Sequence, residues 1–198
     1  MGDRLTVRGV VFSAVFAALT IALNFLQVQP PFSPVPFTLG NLGVMLAGAL
    51  LGGVYGFFSL VLMIILVAVG LPFLDGAGGI AALLSYSGGY VWAWPFCALL
   101  TGIWASRVRG HWLWQGIQVF LAAEIFGSLL CYVSGVPWMA HVLHMPMNRA
   151  MAEGFWPFLP GDAMKAALTA IIAVPIRRVY PVSRLVGRTG SRVVSLPD

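Results

Sequence analysis

The sequence predicts an all-α polytopic membrane protein with six transmembrane helices and both termini cytoplasmic. Three observations carry this expectation. Hydrophobic residues make up 60% of the 198-residue chain and charged residues only 9%, against about 25% charged in a soluble domain. The charges stand at the chain ends and in loops, leaving long apolar stretches between them. Counted over six spans, the arginines before the first, between the fourth and fifth, and after the sixth all fall on one side, which is cytoplasmic by the positive-inside rule. The net charge of +5 therefore speaks to orientation in a lipid bilayer and not to nucleic acid. Residues 1–183 are expected to form a single domain, with 184–198 a basic cytoplasmic tail.

The first span covers about Arg8 to Leu26. It is long enough to cross a bilayer and lacks a small-residue cleavage site, so it is kept as a helix. Ala14, Ala18 and Ala22 recur every fourth residue and make a flat stripe that another helix can approach closely. That helix could belong to this protein or to a separate membrane partner. Four prolines between Gln27 and Pro36 then forbid a helix and give a stiff, extended loop. The second span, about Phe37 to Leu51, is short. Its glycines permit close helix contact, and Asn41 is its one strongly polar side chain. A buried amide needs a partner, either another helix or a ligand.

Gly52 to Gly56 is expected to be a tight turn, and a third span runs to about Gly70. The glycine-rich loop at 71–79, which includes Gly79, has no Lys-Ser/Thr after its glycines and is no nucleotide-binding P-loop. Tyr86, Ser87 and Tyr90 follow, beside backbone at Gly88 and Gly89 that a ligand can approach. The fourth span is about Gly88 to Ser106. Arg107, Arg109, Trp112 and Trp114 mark a membrane interface. The fifth, about Gln115 to Val133, carries Glu124 near its middle, a buried acid with structural and functional explanations equally open. The stretch from Gly135 to Leu159 reads as a long connection containing an interfacial helix. His141 and His144 within it lack further ligands and make a weak metal signal; neither a metal nor a cofactor is expected.

The sixth span begins at Asp162, a good N-cap residue, and ends near Ile176. Lys165, the only lysine in the chain, lies three residues on and shares a helical face with Asp162. An ammonium at membrane depth costs about 3 kcal/mol or more without a partner or water. Lys165 is therefore either functional or snorkels toward the surface from the helix start. By the same arginine count, the pair opens the sixth span near the outer surface, where the Pro-, Gly- and Trp/Met-rich loops also lie.

Several blocks in fixed order resemble the BioY family of biotin transporters: Pro34-Val35-Pro36-Phe37-Thr38-Leu39, Leu42 to Gly52, Gly70-Leu71-Pro72-Phe73, Ser87-Gly88-Gly89-Tyr90, and Phe158 to Ala166. The resemblance covers roughly residues 8–176. It implies a substrate-binding S component of an energy-coupling factor (ECF) transporter in the plasma membrane of a prokaryote, multi-pass and not an enzyme. It further implies an extracellular-side biotin pocket, and as partners a transmembrane T component and two cytoplasmic ATPases. The family's pocket acid and lysine match Asp162 and Lys165, and its helix-one docking residues make Ala14, Ala18 and Ala22 a candidate docking face. Gly40 and Ser85-Tyr86-Ser87 depart from the commoner family pattern.

Biotin offers a ureido ring with two N–H donors and a carbonyl, an apolar thioether ring and a carboxylate. Asp162 is expected to accept from a ureido N–H and Lys165 to donate to the ureido oxygen; the alternative puts Lys165 on the carboxylate. Asn41, Thr38, Ser87 and Gly79 are candidates for the remaining contacts, and Phe37, Tyr86 and Tyr90 for covering the apolar rings. Competing expectations are an S component for another vitamin or a biotin precursor, a membrane scaffold, or an intramembrane enzyme using Glu124, His141 and His144.

Overall fold

The computed structural model describes residues 6–74 and 76–187, and it is predominantly helical. Helix α1 (Val7–Asn24) is capped by Thr6, whose hydroxyl accepts from the Gly9 N–H at 3.0 Å. Its buried stripe is Gly9, Ser13, Ala17, Thr20 and Asn24, turned toward α2 (Gly40–Leu51) and α3 (Gly53–Ala68). The stripe's small side chains let α1 lie close to α3, and Ser13 Oγ donates to the Tyr55 carbonyl at 3.0 Å. The proline-rich connection forms a short antiparallel pair, β1 (Gln27–Val28) with β2 (Phe37–Thr38), Gln27 opposite Thr38.

Because Phe37 and Thr38 are paired, the second helix starts at Gly40 and not at Phe37 as expected. Its 12 residues span about 18 Å, and all but Asn41 are buried. Other helices surround it, so it behaves as a core element. The turn expected over Gly52 to Gly56 is a single residue. Gly52 has φ +80°, where a Cβ is strained, and α3 resumes at once. The loop after α3 leads through a short helix, α4 (Ile80–Leu83), into α5 (Gly88–Ala105), which packs on α2 and α3.

The fifth element departs furthest from expectation. Helix α6 (Trp112–Ala122), a π-helical stretch (Ala123–Leu129) and α7 (Leu130–Val142) form one rod of 31 residues. A helix ending near Val133 was expected, with a connection from Gly135. Instead the helix continues through Pro137, a residue that costs about 3 kcal/mol in a helix interior. Tertiary contact opposes that cost: the Tyr90 ring lies on Gly135, leaving no room for a side chain, and Trp138 Nε1 donates to the Ser85 carbonyl at 2.8 Å.

A short helix, α8 (Met147–Gly154), precedes α9 (Leu159–Val179). Asp162 is not the N-cap of α9. The helix starts three residues earlier because Pro160 is tolerated in a first turn, and the Asp162 N–H already donates to the Phe158 carbonyl at 2.9 Å. A final helix, α10 (Val182–Leu185), returns to the start of the chain. Thr6 Oγ1 donates to the Val186 carbonyl, and Arg8 Nη1 to the Arg184 carbonyl at 3.3 Å. The two ends of the described chain therefore meet at one end of the bundle. Of the tail expected from 184, residues 188–198 lie outside the described residues.

Among the described residues, three helical stretches are both long and apolar enough to cross a membrane: Val7–Asn24, Trp112–Val142 and Leu159–Val179.

Candidate functional site: a buried acid–lysine pair at the base of a cavity

One helical turn separates Asp162 and Lys165 on α9, and both side chains are buried. Lys165 Nζ donates to Asp162 Oδ1 at 2.9 Å. The other carboxylate oxygen, Oδ2, accepts from Ser128 Oγ at 2.7 Å and from Tyr132 OH at 2.5 Å. Three groups from two rods thus hold one carboxylate. The second rod contributes from the end of its π-helical stretch and the turn after it. That stretch carries Ser128, and the α-helix resuming after it presents Tyr132 to the same oxygen. Lys165 is held on its other side by an aromatic face, with Nζ 4.2 Å from the centre of the Phe37 ring. That ring stacks on Phe158, centroids 5.9 Å apart, and lies against Gly161, where any Cβ would collide with it. Gly161 is thus required beside the pair, because only hydrogen leaves room for the Phe37 ring.

Above the pair is an open-mouthed cavity, with roughly 610 Å³ of empty space when the solvent at its mouth is included. Asp162, Lys165, Asn41, Thr38, Ser87 and Tyr90, all expected from sequence, line it. The other walls are largely apolar: Val35, Pro36, Leu74, Val91, Trp94 and Phe158. Asn41 Oδ1 is buried with no hydrogen-bond partner. A desolvated acceptor without a donor costs about 1–3 kcal/mol, so this atom is suited to a donor brought by a ligand. Tyr90 OH is engaged with the Gly154 carbonyl at 3.0 Å, which ties α8 over one side.

Three expected residues take other places. Phe37 supports Lys165 and does not line the cavity. Gly79, at φ +83°, precedes α4 and ties its N–H to the Val67 carbonyl at 2.7 Å, while Tyr86 packs against the core; neither lines the cavity. Among the described residues, no cluster of three or more His, Cys, Asp or Glu is placed to hold a metal. Glu124 lies in the π-helical stretch, with Oε2 buried and unpartnered. It is 17 residues before His141 on the same rod, about 25 Å along the axis, so the two do not share a site.

The BioY family model matches residues 1–182. The chain belongs to the BioY family. It is 37% identical to the biotin transporter BioY of Rhizobium etli, over 89% of this chain and 97% of that protein. It is 35% identical to the biotin transporter BioY of Lactococcus lactis, over 90% and 95%. A crystal structure of the S-component for biotin from an ECF-type ABC transporter superposes with a TM-score of 0.77 at 34% identity, covering 90% of this chain and 95% of that one. Against this background the residues of this chain that the sequence alone does not single out are Ser128, Tyr132, Trp94 and Phe158. Ser128 and Tyr132 sit in the apolar fifth segment at a spacing of four. The available signal was two hydroxyls on one helical face, directed at a carboxylate that needs donors.

Proposed function

We propose that this BioY-family protein captures biotin and serves as the substrate-specific S component of an ECF-type transporter. The observation that carries the proposal is the buried Asp162–Lys165 pair facing a largely apolar cavity. A neutral ion pair suits a neutral, strongly polar head such as a ureido ring: Asp162 accepts from a ring N–H, and Lys165 donates to the ring carbonyl. Asn41 Oδ1, unpartnered in the cavity, accepts from the second N–H. Trp94, Val91 and Phe158 cover the thioether ring, leaving the carboxylate toward the mouth. A polar site of this kind rejects analogues that leave a buried group unpaired.

In this proposal α1, α2, α3, α5, the α6–α7 rod and α9 are the six spans of one domain covering residues 1–183. The meeting of Thr6 with Val186 supports an even number of crossings, and the arginine distribution supports termini inside. Asp162 lies 17 residues before Val179 at the far end of α9, about 25 Å away, so the cavity opens outside. The energy for uptake comes from a T component and two cytoplasmic ATPases. Ala14, Ala18 and Ala22 are exposed, opposite the buried stripe of α1, which supports their use as a docking face for that module. The protein acts by binding and translocation in the plasma membrane of a prokaryote, without catalysis.

The test is calorimetric titration of the purified protein with biotin, dethiobiotin, thiamin and riboflavin. Biotin is expected to bind tightest. Absence of biotin binding, or tighter binding of thiamin or riboflavin, overturns the proposal.

A further inference from the structure

The far end of α9 carries two recesses that the biotin cavity does not involve. One is an apolar groove between α6 and α9, with Gly116, Ala167 and Ala170 as its small-residue floor and Phe120 and Ile171 among its walls. At Gly116 a Cβ would meet nothing within 4 Å, so the groove is open there. Both helices belong to stretches long and apolar enough to cross a membrane, and the groove's Leu113, Ile117 and Ile171 are exposed apolar residues, as on a surface that meets lipid. Along α9 it runs from Ala167 to Arg178, about 16 Å, or roughly half of a 30 Å hydrocarbon core and hence one leaflet.

The other recess has a mixed lining: Ser106, Gln115, Arg177, Arg178 and Ser183 supply its polar wall, and valines and a proline the rest. The two recesses share Val174 and Arg178, so they form one continuous depression, apolar at one end and cationic at the other. Arg178 is positioned at the junction, its Nε donating to Gln115 Oε1 at 3.3 Å. Trp112, half-exposed at the start of α6, borders the same junction, and such rings settle at headgroup level.

We propose that this depression binds one anionic phospholipid, its acyl chain in the α6–α9 groove and its phosphate on Arg178 and Arg177. Charge complementarity selects the occupant: two guanidiniums at the headgroup end of an apolar channel one leaflet long favour a headgroup of net negative charge over one whose phosphate is balanced by its own ammonium. A helix of another protein would fill the groove but leave the second recess and its arginines unmatched.

The test is native mass spectrometry of the full-length protein in mild detergent, with phosphatidylglycerol or phosphatidylcholine of identical chains added. Phosphatidylglycerol is expected to be retained at least about tenfold better, or about 1.4 kcal/mol. The double variant Arg177→Gln/Arg178→Gln is expected to lose that preference, and Gly116→Leu, which fills the groove, to lose both lipids. A large excess of glycerol phosphate, which has the anion without the chain, is expected to displace nothing. Equal retention of the two lipids by the wild-type protein overturns the proposal, whatever the variants do. So does an intact preference in a double variant of unchanged melting temperature, or displacement by glycerol phosphate, which would mark a simple anion site.

Discussion

Helix α9 carries cations at both ends, and the protein treats them in opposite ways. At the cavity end, Lys165 is 6% exposed and bound to Asp162 at 2.9 Å. At the other end, Arg178 is exposed and bonded only loosely, to Gln115 at 3.3 Å. A charge at a membrane surface is stabilised by water and needs little from its neighbours. A charge inside the bundle needs an opposite charge and donors for every remaining lone pair, and removing one partner of such a pair costs about 3–5 kcal/mol. The cavity end meets most of that requirement with three donors from two rods, Lys165, Ser128 and Tyr132, and leaves an Asp162 lone pair for a ligand. The comparison teaches that burial and not charge marks the working end: among the described residues Arg149 is also ion-paired, but at the surface, whereas Lys165 is buried in its network and faces the cavity.

The largest effect expected from this contrast is at Lys165. Lys165→Ala leaves Asp162 buried without its counter-ion and without the donor for a ligand carbonyl. Biotin affinity is expected to fall at least about a hundredfold, or about 3 kcal/mol, measured by calorimetry. Arg178→Gln, at the exposed end, is expected to leave biotin affinity unchanged. Equal effects at the two ends would break the comparison.

Next in size is Gly161→Ala. The added Cβ drives the Phe37 ring from its place under Lys165, and overpacking of this kind costs about 1–3 kcal/mol. A lower melting temperature and about tenfold weaker biotin binding are expected together. Tyr132→Phe is gentler. It removes one of two donors to Asp162 Oδ2 while Ser128 Oγ remains at 2.7 Å. Several-fold weaker binding is expected, in line with about 1 kcal/mol for one hydrogen bond.

The order of these effects follows how much of the site could be read without coordinates. Asp162 and Lys165 are legible because a lone lysine in an apolar segment demands an explanation, and their spacing places them on one face. Their support is not legible. Ser128 lies at the end of a π-helical stretch and Tyr132 in the helix that follows it, and no hydrophobic period signals where such a stretch falls. The same rod runs to Val142 through Pro137, because contacts with Tyr90 and Ser85 from α5 and the segment before it override local propensity. Phe37 was expected as a cover for the ligand and instead lies beneath the lysine, a position that depends on Gly161 in a distant helix. Order along the chain and the proline-rich gap follow from composition and period; the core position of the second segment and the contacts between rods do not.

The smallest expected effect on affinity concerns α1, where two small-residue stripes run along opposite faces. One, Ser13 and Ala17 with Gly9 and Thr20, is buried against α2 and α3; the other, Ala14, Ala18 and Ala22, faces out. Spacing alone does not separate them, since both recur about every turn. Leucine at Ala18 adds bulk only on the outer face, so biotin affinity and melting temperature of the isolated protein are expected to stay as they are. Uptake of labelled biotin by cells that also make the T component and ATPases is expected to fall severely, because close helix approach needs small side chains. Leucine at Ala17 is expected to do the reverse, lowering the melting temperature of the isolated protein. If Ala18→Leu left uptake intact, the outer stripe would be a lipid-facing surface and the docking face would lie elsewhere on the bundle.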